Sequence, residues 1–248
     1  MPMATDAAIT VQNLTFAYTG GPTAALDQIN FTVAPGETIG LIGPNGAGKT
    51  TLFLCLAGVL PVAPAHIRLA GLDPGVRAER AQLPAHVGIV FQNSDDQLFS
   101  TTVGDDVAFG PLNLRLDAEQ VRGRVTEALH RVGLAGFEAR VPHHLSGGEK
   151  RRAALAGVLA MRPEILLLDE PSMFLDPRGR RELMALLKEL GGTQVIGAHD
   201  LDMILDHCGR VLVLDRGRLI TEGPAAEVLA DAELMQRHGL EVPYRLRK

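Results

Sequence analysis

The sequence predicts an α/β fold: a largely parallel, helix-covered sheet, with a small antiparallel sheet at its start and a helical segment inserted between its strands. Three observations predict it. Short β-rich apolar runs at residues 38–42, 87–91, 165–168, 193–197 and 211–214 are flanked by polar or helical stretches, as expected of strands buried on both faces. Alternating apolar residues at 9–16 and 29–33, joined through a Gly-Gly-Pro loop at 20–22, read as two antiparallel strands. Between residues 92 and 145 the period changes to short amphipathic helices. The clearest spans 117–132 and sets Val121, Val125, Ala128, Leu129 and Val132 along one face.

A chain of 248 residues, 46% hydrophobic and 21% charged, can bury one large α/β core with an inserted subdomain. Its net charge of −5 carries no global basic footprint, which argues against a nucleic-acid partner. Cys55 and Cys208 lie far apart and outside any C-x-x-C pair, so buried, reduced thiols are expected rather than a metal or redox site. No apolar run reaches the roughly 20 residues that span a bilayer. The longest, 52–60, reads as a buried helix. Residues 1–10 show no basic-then-apolar signal pattern, so a cytoplasmic protein is expected, with attachment to a membrane partner left open. From residue 224 the tail reads as helical and mixed in charge, and no internal repeat is visible.

The run at 38–42 ends in Gly43-Pro44-Asn45-Gly46-Ala47-Gly48-Lys49-Thr50, which matches G-x-x-x-x-G-K-[ST], and residues 51–59 are helical in composition. Strand, glycine loop and helix are the context this pattern requires. Glycines at 43, 46 and 48 let backbone N–H groups turn inward toward phosphates at the positive end of the helix. Lys49 then reaches the β and γ phosphates and the Thr50 hydroxyl coordinates Mg²⁺, which identifies ATP and Mg²⁺ as ligands. The nucleotide-binding set here is Asn45, Gly46, Ala47, Gly48, Lys49, Thr50 and Thr51, since either threonine hydroxyl suits the cation.

The run at 165–168 delivers Asp169 and Glu170 to a strand's carboxyl end, where ligands bind in open α/β sheets. Read alone, these are two solvated acids; beside a phosphate loop they divide two tasks. Asp169 holds the Mg²⁺ shell and Glu170 polarises the attacking water. His199, just past the strand 193–197, is placed to contact the γ-phosphate. Seven other histidines are present, and His143 and His144 in a Pro-flanked loop read as surface residues. Gln92 ends the strand 87–91 and offers an amide oxygen to Mg²⁺ or the water, or is an ordinary strand cap. The catalytic candidates are thus Glu170, His199, Gln92 and Lys49, and the Mg²⁺ candidates Thr50, Gln92 and Asp169.

In this order the motifs resemble the ATP-binding cassette (ABC) ATPase family over residues 18–223. The resemblance assigns Leu145-Ser146-Gly147-Gly148-Glu149 as the signature, Gln92 as the glutamine loop, 172–176 as the loop after the carboxylates and His199 as the switch histidine. It implies a P-loop NTPase (RecA-like) core with an antiparallel β subdomain and an inserted helical subdomain. The expected layout is a single domain, with core at 1–92 and 160–223, helical subdomain at 93–159 and C-terminal extension at 224–248. Tyr18 falls at the adenine-stacking position, a core tyrosine being the alternative. Ser146, Gly147 and Gly148, opening a helix from Glu149 onward, are implied to bind the γ-phosphate held by a second subunit, with Asp176 coupling the two sites. The implied assembly is a homodimer, or a heterodimer with a paralogous ATPase.

A narrower likeness, to the ATPases of energy-coupling factor importers, runs from Phe91 through Phe99 and from Thr102 through Gly110. It implies a groove for a transmembrane coupling subunit, with Asp95, Asp96, Asp105 and Asp106 supplying charge and Leu98 and Phe99 apolar contact. A solvated acidic loop is the alternative. The stretch Leu234-Met235-Gln236-Arg237-His238-Gly239-Leu240 looks most like cobalt and nickel importer ATPases. The expected protein is therefore a peripheral ATPase on the cytoplasmic face of the membrane, working with coupling and substrate-binding membrane subunits and not with nucleic acid. Vitamin uptake, and a non-transport ATPase acting on nucleic acid or as a scaffold, are the alternatives.

Overall fold

The structure is a computed structural model that describes residues 7–20 and 23–247. Two residues of the expected Gly-Gly-Pro loop, and most of the N-terminal stretch searched for a signal, lie outside the described residues. In chain order the elements are β1 (Ile9–Phe16), β2 (Leu26–Val33), β3 (Thr38–Ile42), α1 (Lys49–Leu56), β4 (Ile67–Leu69) and α2 (Arg77–Arg80). They continue as β5 (Val87–Val90), α3 (Val103–Asn113), α4 (Ala118–Arg131), α5 (Gly147–Leu159), β6 (Ile165–Asp169) and α6 (Pro177–Leu190). The last third holds β7 (Thr193–Gly197), α7 (Leu201–His207), β8 (Arg210–Asp215), β9 (Arg218–Pro224), α8 (Ala225–Ala230) and α9 (Ala232–Arg237). They gather into two compact units, one drawing on the chain up to Leu83 and from Gly192 on, the other running from Pro84 to Gly191.

In the first unit β1 pairs antiparallel with both β2 and β4, while β3 lies parallel between β7 and β8. Ile39, Leu41 and Ile42 of β3 are fully buried with Val211, Val213 and Leu214 of β8. Each such side chain contributes about 1.5–3 kcal/mol by leaving water. β9 folds back antiparallel on β8 through Arg216 and Gly217, both at positive φ as a two-residue hairpin turn requires. In the second unit β5 and β6 pair in parallel, and α4 turns the four residues Val121, Val125, Ala128 and Leu129 inward. Asp117 caps α4 in a capping box with Gln120, so the predicted helix 117–132 is matched almost to the residue.

Several expectations change. The helix predicted at 51–59 starts at Lys49, because Gly48 at φ +106° is its cap, and stops at Leu56, before Gly58 at φ +69°. β2 starts three residues earlier than predicted and meets β1 with irregular register near Asn13, at φ +49°. The signature helix opens at Gly147 rather than Glu149, since Ser146 is the capping residue. Strands β4 and β9 were not predicted. β4 has only three residues, and β9 alternates between half-buried and exposed positions without an apolar run. Both cysteines are buried as expected, and burial pushes their thiols up to about 12.

Candidate functional site

The first unit holds the phosphate loop between β3 and α1. A Cβ on Gly43 would stand 2.1 Å from the Leu214 carbonyl oxygen of β8, and one on Gly48 would stand 2.8 Å from that of Ala25. Only glycine permits this close backbone packing. The loop is also braced from outside, where the Gly217 N–H of the β8–β9 turn donates to the Ala47 carbonyl at 2.9 Å. Nearby, His238 Nδ1 at the end of α9 meets the Asp215 carboxylate at 2.9 Å. Neither brace has a signal in the sequence.

Gly48 stands at the cap position of α1 and offers no side chain of its own, and the N-terminal end of the helix carries the polarity that suits an anion. Lys49 is 7% exposed and reaches across the loop mouth, donating to the carbonyls of Gly43 at 2.7 Å and Pro44 at 3.2 Å. Asn45, Gly46 and Thr50 are exposed, whereas Ala47 and Thr51 are buried. The Thr51 hydroxyl is hydrogen-bonded to that of Tyr18 at 3.1 Å. Tyr18 itself is 47% exposed, its ring set edge-on to Phe16, so the core-tyrosine alternative falls. His199 is exposed just beyond β7, immediately before Asp200, which caps α7 by accepting from the Met203 N–H.

The second unit holds the carboxylates and the signature. Asp169 ends β6 with 2% exposure, and Glu170 follows, 8% exposed and at φ +49°. One side chain missing from the sequence reading organises this region. Arg151 of α5, 2% exposed, donates to the carbonyls of Phe91 at 2.5 Å, Gln92 at 2.6 Å and Glu170 at 3.0 Å. It thereby ties the backbone of Gln92 and of Glu170 to the signature helix. Burial draws its pKa below the usual arginine value, opposed by the charges of Asp169 and Glu170. The Gln92 side chain is exposed and its amide nitrogen faces Met173 Sδ at 3.4 Å.

Ser146 caps α5 reciprocally with Glu149. Its hydroxyl accepts from the Glu149 N–H at 3.3 Å and donates to the carboxylate at 2.8 Å, while the Ser146 N–H donates to the same oxygen at 2.8 Å. The Ser146 N–H, then its hydroxyl, hold the Glu149 carboxyl below its ordinary value. A Cβ on Gly147 would meet only Phe174, at 3.9 Å, and one on Gly148 only the end of the Leu175 side chain, at 3.3 Å. Gly147 thus has room for a methyl group, and Gly148 has it only if Leu175 shifts slightly. Asp176 caps α6 by accepting from the Gly179 N–H at 2.7 Å.

The acidic segment differs from expectation. Asp106 is 7% exposed and accepts the N–H groups of Phe99 and Ser100, so it shapes the loop rather than presenting charge. Leu98, 6% exposed, is core. Phe99 is exposed as expected and stacks edge to face at 4.9 Å on the exposed Phe109, with the exposed Leu112 on the same helix as Phe109. Asp95 is paired with Lys150 at 2.7 Å, and Asp105 accepts from the Thr102 hydroxyl at 2.6 Å.

Chemically, the first unit offers an anion cradle with a lysine and an aromatic ring. The second offers buried carboxylates and a self-capped helix start. The Thr50 hydroxyl, Asp169 carboxylate and Gln92 amide are hard oxygen donors of the kind Mg²⁺ takes. Among the described residues no group of three or more His, Cys, Asp or Glu is gathered to hold a metal by itself, and no helix is long and apolar enough to cross a membrane.

The family model described as ABC transporter matches residues 26–173. An energy-coupling factor transporter ATP-binding protein EcfA of Methanothermobacter thermautotrophicus is 49% identical over 240 residues, covering 95% of this chain and 76% of the relative. Among solved structures, cbiO1 of Clostridium perfringens, described as part of the ABC transporter complex cbiONQ, is 40% identical with a TM-score of 0.80 and 94% of each chain covered. The ATP-binding cassette MJ0796, solved as a dimer in a post-hydrolysis state bound to ADP and Pi, is 27% identical with a TM-score of 0.79, covering 88% of this chain and 98% of that one.

Proposed function

We propose that this chain, which belongs to the ABC transporter family and is an ATPase of the energy-coupling factor type, powers uptake of cobalt or nickel ions through membrane subunits. The observation that carries the nucleotide chemistry is the glycine-locked loop at the start of α1, where Gly43 packs against the Leu214 carbonyl and Lys49 is drawn across the loop mouth. In this reading the loop N–H groups and Lys49 hold the β and γ phosphates, and Tyr18 stacks on the adenine. Thr50, Asp169 and Gln92 are the residues that would hold Mg²⁺, which neutralises charge on the transferring phosphoryl group. Glu170 accepts the proton of the attacking water, and His199 orients the γ-phosphate and that water.

Ser146, Gly147 and Gly148 take the γ-phosphate held by a second copy, so ATP joins two protomers and its hydrolysis to ADP and Pi releases them. Asp176 links the two sites. The dimeric MJ0796 and the room for a side chain at Gly147 support this. Phe99, Phe109 and Leu112, with Asp96 and Asp105, form the surface offered to a helix of the membrane coupling subunit at the cytoplasmic face of the membrane. The cobalt or nickel cargo rests on residues 234–240 and on the likeness to cbiO1.

The test is purification of the tagged protein from detergent-solubilised native membranes, with identification of co-purifying subunits and assay of bound metal. A small integral coupling protein together with a subunit carrying cobalt or nickel is expected. A vitamin-binding subunit would overturn the cargo and keep the mechanism; recovery with nucleic acid and no membrane protein would overturn the transport reading.

A further inference from the structure

We propose that the segment 238–245 is an internal strap on α7, and that Arg245 acts through α7 as a positioning residue for His199; the inference rests on the role proposed above for His199. His199 and Asp200 lead directly into α7, which Asp200 caps. With only seven residues, α7 is too short to hold its shape and place without its surroundings. Its inner face is fixed. Leu201, Met203 and Ile204 are buried, and a Cβ on Gly40 would stand 2.6 Å from Ile204 Cγ2, so the helix packs against the bare backbone of β3, the strand that leads into the phosphate loop.

Away from that face α7 carries Asp202 and Asp206, one turn apart. Two carboxylates at i and i+4 repel each other, and Asp206 in the last turn also opposes the helix dipole. The helix by itself gains nothing from this pair. Its partner is Arg245, whose guanidinium takes both oxygens of Asp206, Nη1 donating to Oδ1 at 2.7 Å and Nη2 to Oδ2, while the backbone N–H groups of Tyr244 and Arg245 donate to Asp202 at 3.2 and 3.4 Å. The other end of the strap is fixed beside the phosphate loop. α9 turns out at Gly239, φ +67°, with the Leu240 N–H returning to the Met235 carbonyl at 2.8 Å. A Cβ on Gly239 would lie 3.9 Å from Pro44 Cβ, and His238 beside it meets Asp215 at the end of β8. From there the chain runs through the buried Pro243 to Arg245. The strap therefore joins the phosphate loop to the helix behind His199 by a route separate from β3. The side chains of Arg245 and Asp206 are 56% and 42% exposed, and ion pairs so exposed add little to stability. What this tie controls is the placement of α7 rather than the strength of the fold.

The experiment uses the full chain and measures kcat and KM for MgATP, melting temperature, and sedimented mass with MgATP, for Arg245→Ala, Asp206→Ala, their double variant and Arg245→Lys, with His199→Ala as the reference. Arg245→Ala and Asp206→Ala should each lower kcat on the order of fivefold while KM stays within about twofold. The double variant should lose no more than either alone, since both remove one tie, and Arg245→Lys should recover part of the loss. Melting temperatures should stay within about 3 °C of the parent, Asp206→Ala being the higher of the two because Arg245→Ala leaves the two carboxylates unneutralised. Parental kcat in both alanine variants would overturn the strap. Losses that multiply in the double variant would overturn it too, as would a fall in kcat that follows a lighter sedimented mass, which would assign the segment to contact with a second copy. Parental kcat in His199→Ala would overturn the role of His199 itself, and the positioning with it.

Discussion

Two helices of this chain begin at glycines, α1 behind Gly48 and α5 at Gly147, and the two glycine sets answer different demands. Around α1 the glycines are required by the protein's own backbone: Gly43 lies where a Cβ would meet Leu214 at 2.1 Å, and Gly48 sits at φ +106°. Around α5 both glycines have helical backbones, and Gly147 would admit a Cβ with only Phe174 at 3.9 Å, whereas Gly148 is tighter, with the end of the Leu175 side chain at 3.3 Å. The capping differs in the same sense. The cap position of α1 is Gly48, which has no side chain to offer, whereas α5 is closed by Ser146 and Glu149. The first set of glycines is demanded by the backbone of the fold itself; at Gly147 the fold makes no such demand, in keeping with the role proposed for it toward the nucleotide of a second copy.

Three substitutions distinguish the two glycine sets from each other and from the arginine that ties α5 to the Glu170 carbonyl. Gly43→Ala should have the largest effect, about 3 kcal/mol or more of stability lost in denaturant unfolding, because backbone must move to admit the methyl group. A variant of parental stability would show that the loop is not locked by its glycine. Next comes Arg151→Met, which leaves the carbonyls of Phe91, Gln92 and Glu170 without their donor. Stability should fall by about 2–3 kcal/mol, and kcat should fall more than the KM for ATP rises, because Glu170, the proposed catalytic carboxylate, rather than the phosphate loop loses its support. A rise in KM at unchanged kcat would contradict that assignment, and partial recovery of kcat by Arg151→Lys would strengthen it. The smallest effect, with opposite sign, belongs to Gly147→Ala, which should stabilise the isolated protomer by about 0.5 kcal/mol in thermal unfolding. A destabilised variant would mean that the fold needs this glycine after all.

Much of the first site was visible in sequence because its parts are adjacent: a strand, eight loop residues and a helix appear as one contiguous pattern. Asp169 and Glu170 were visible for the same reason, at the end of an apolar run. Arg151 was not, since its acceptors Phe91 and Gln92 lie 60 and 59 residues away and nothing in the helix marks it as buried. The acidic segment misled because composition does not tell a carboxylate that folds inward to cap a loop, as Asp106 does, from one that faces solvent. Strand β9 escaped because an edge strand with alternating exposure needs no apolar run, and the positive φ of Phe174 has no sequence signal at all.

If Gly147 and Gly148 serve a nucleotide carried by a second copy, dimer formation must depend on them. The most direct measurement is the sedimented mass with MgATP of Glu170→Gln beside that of the Glu170→Gln, Gly147→Ala double variant, with ATP binding to each checked separately. The expected result is a dimer for the first and a monomer for the second, both binding ATP equally well. A double variant that binds ATP and dimerises as readily as Glu170→Gln alone would contradict the claim.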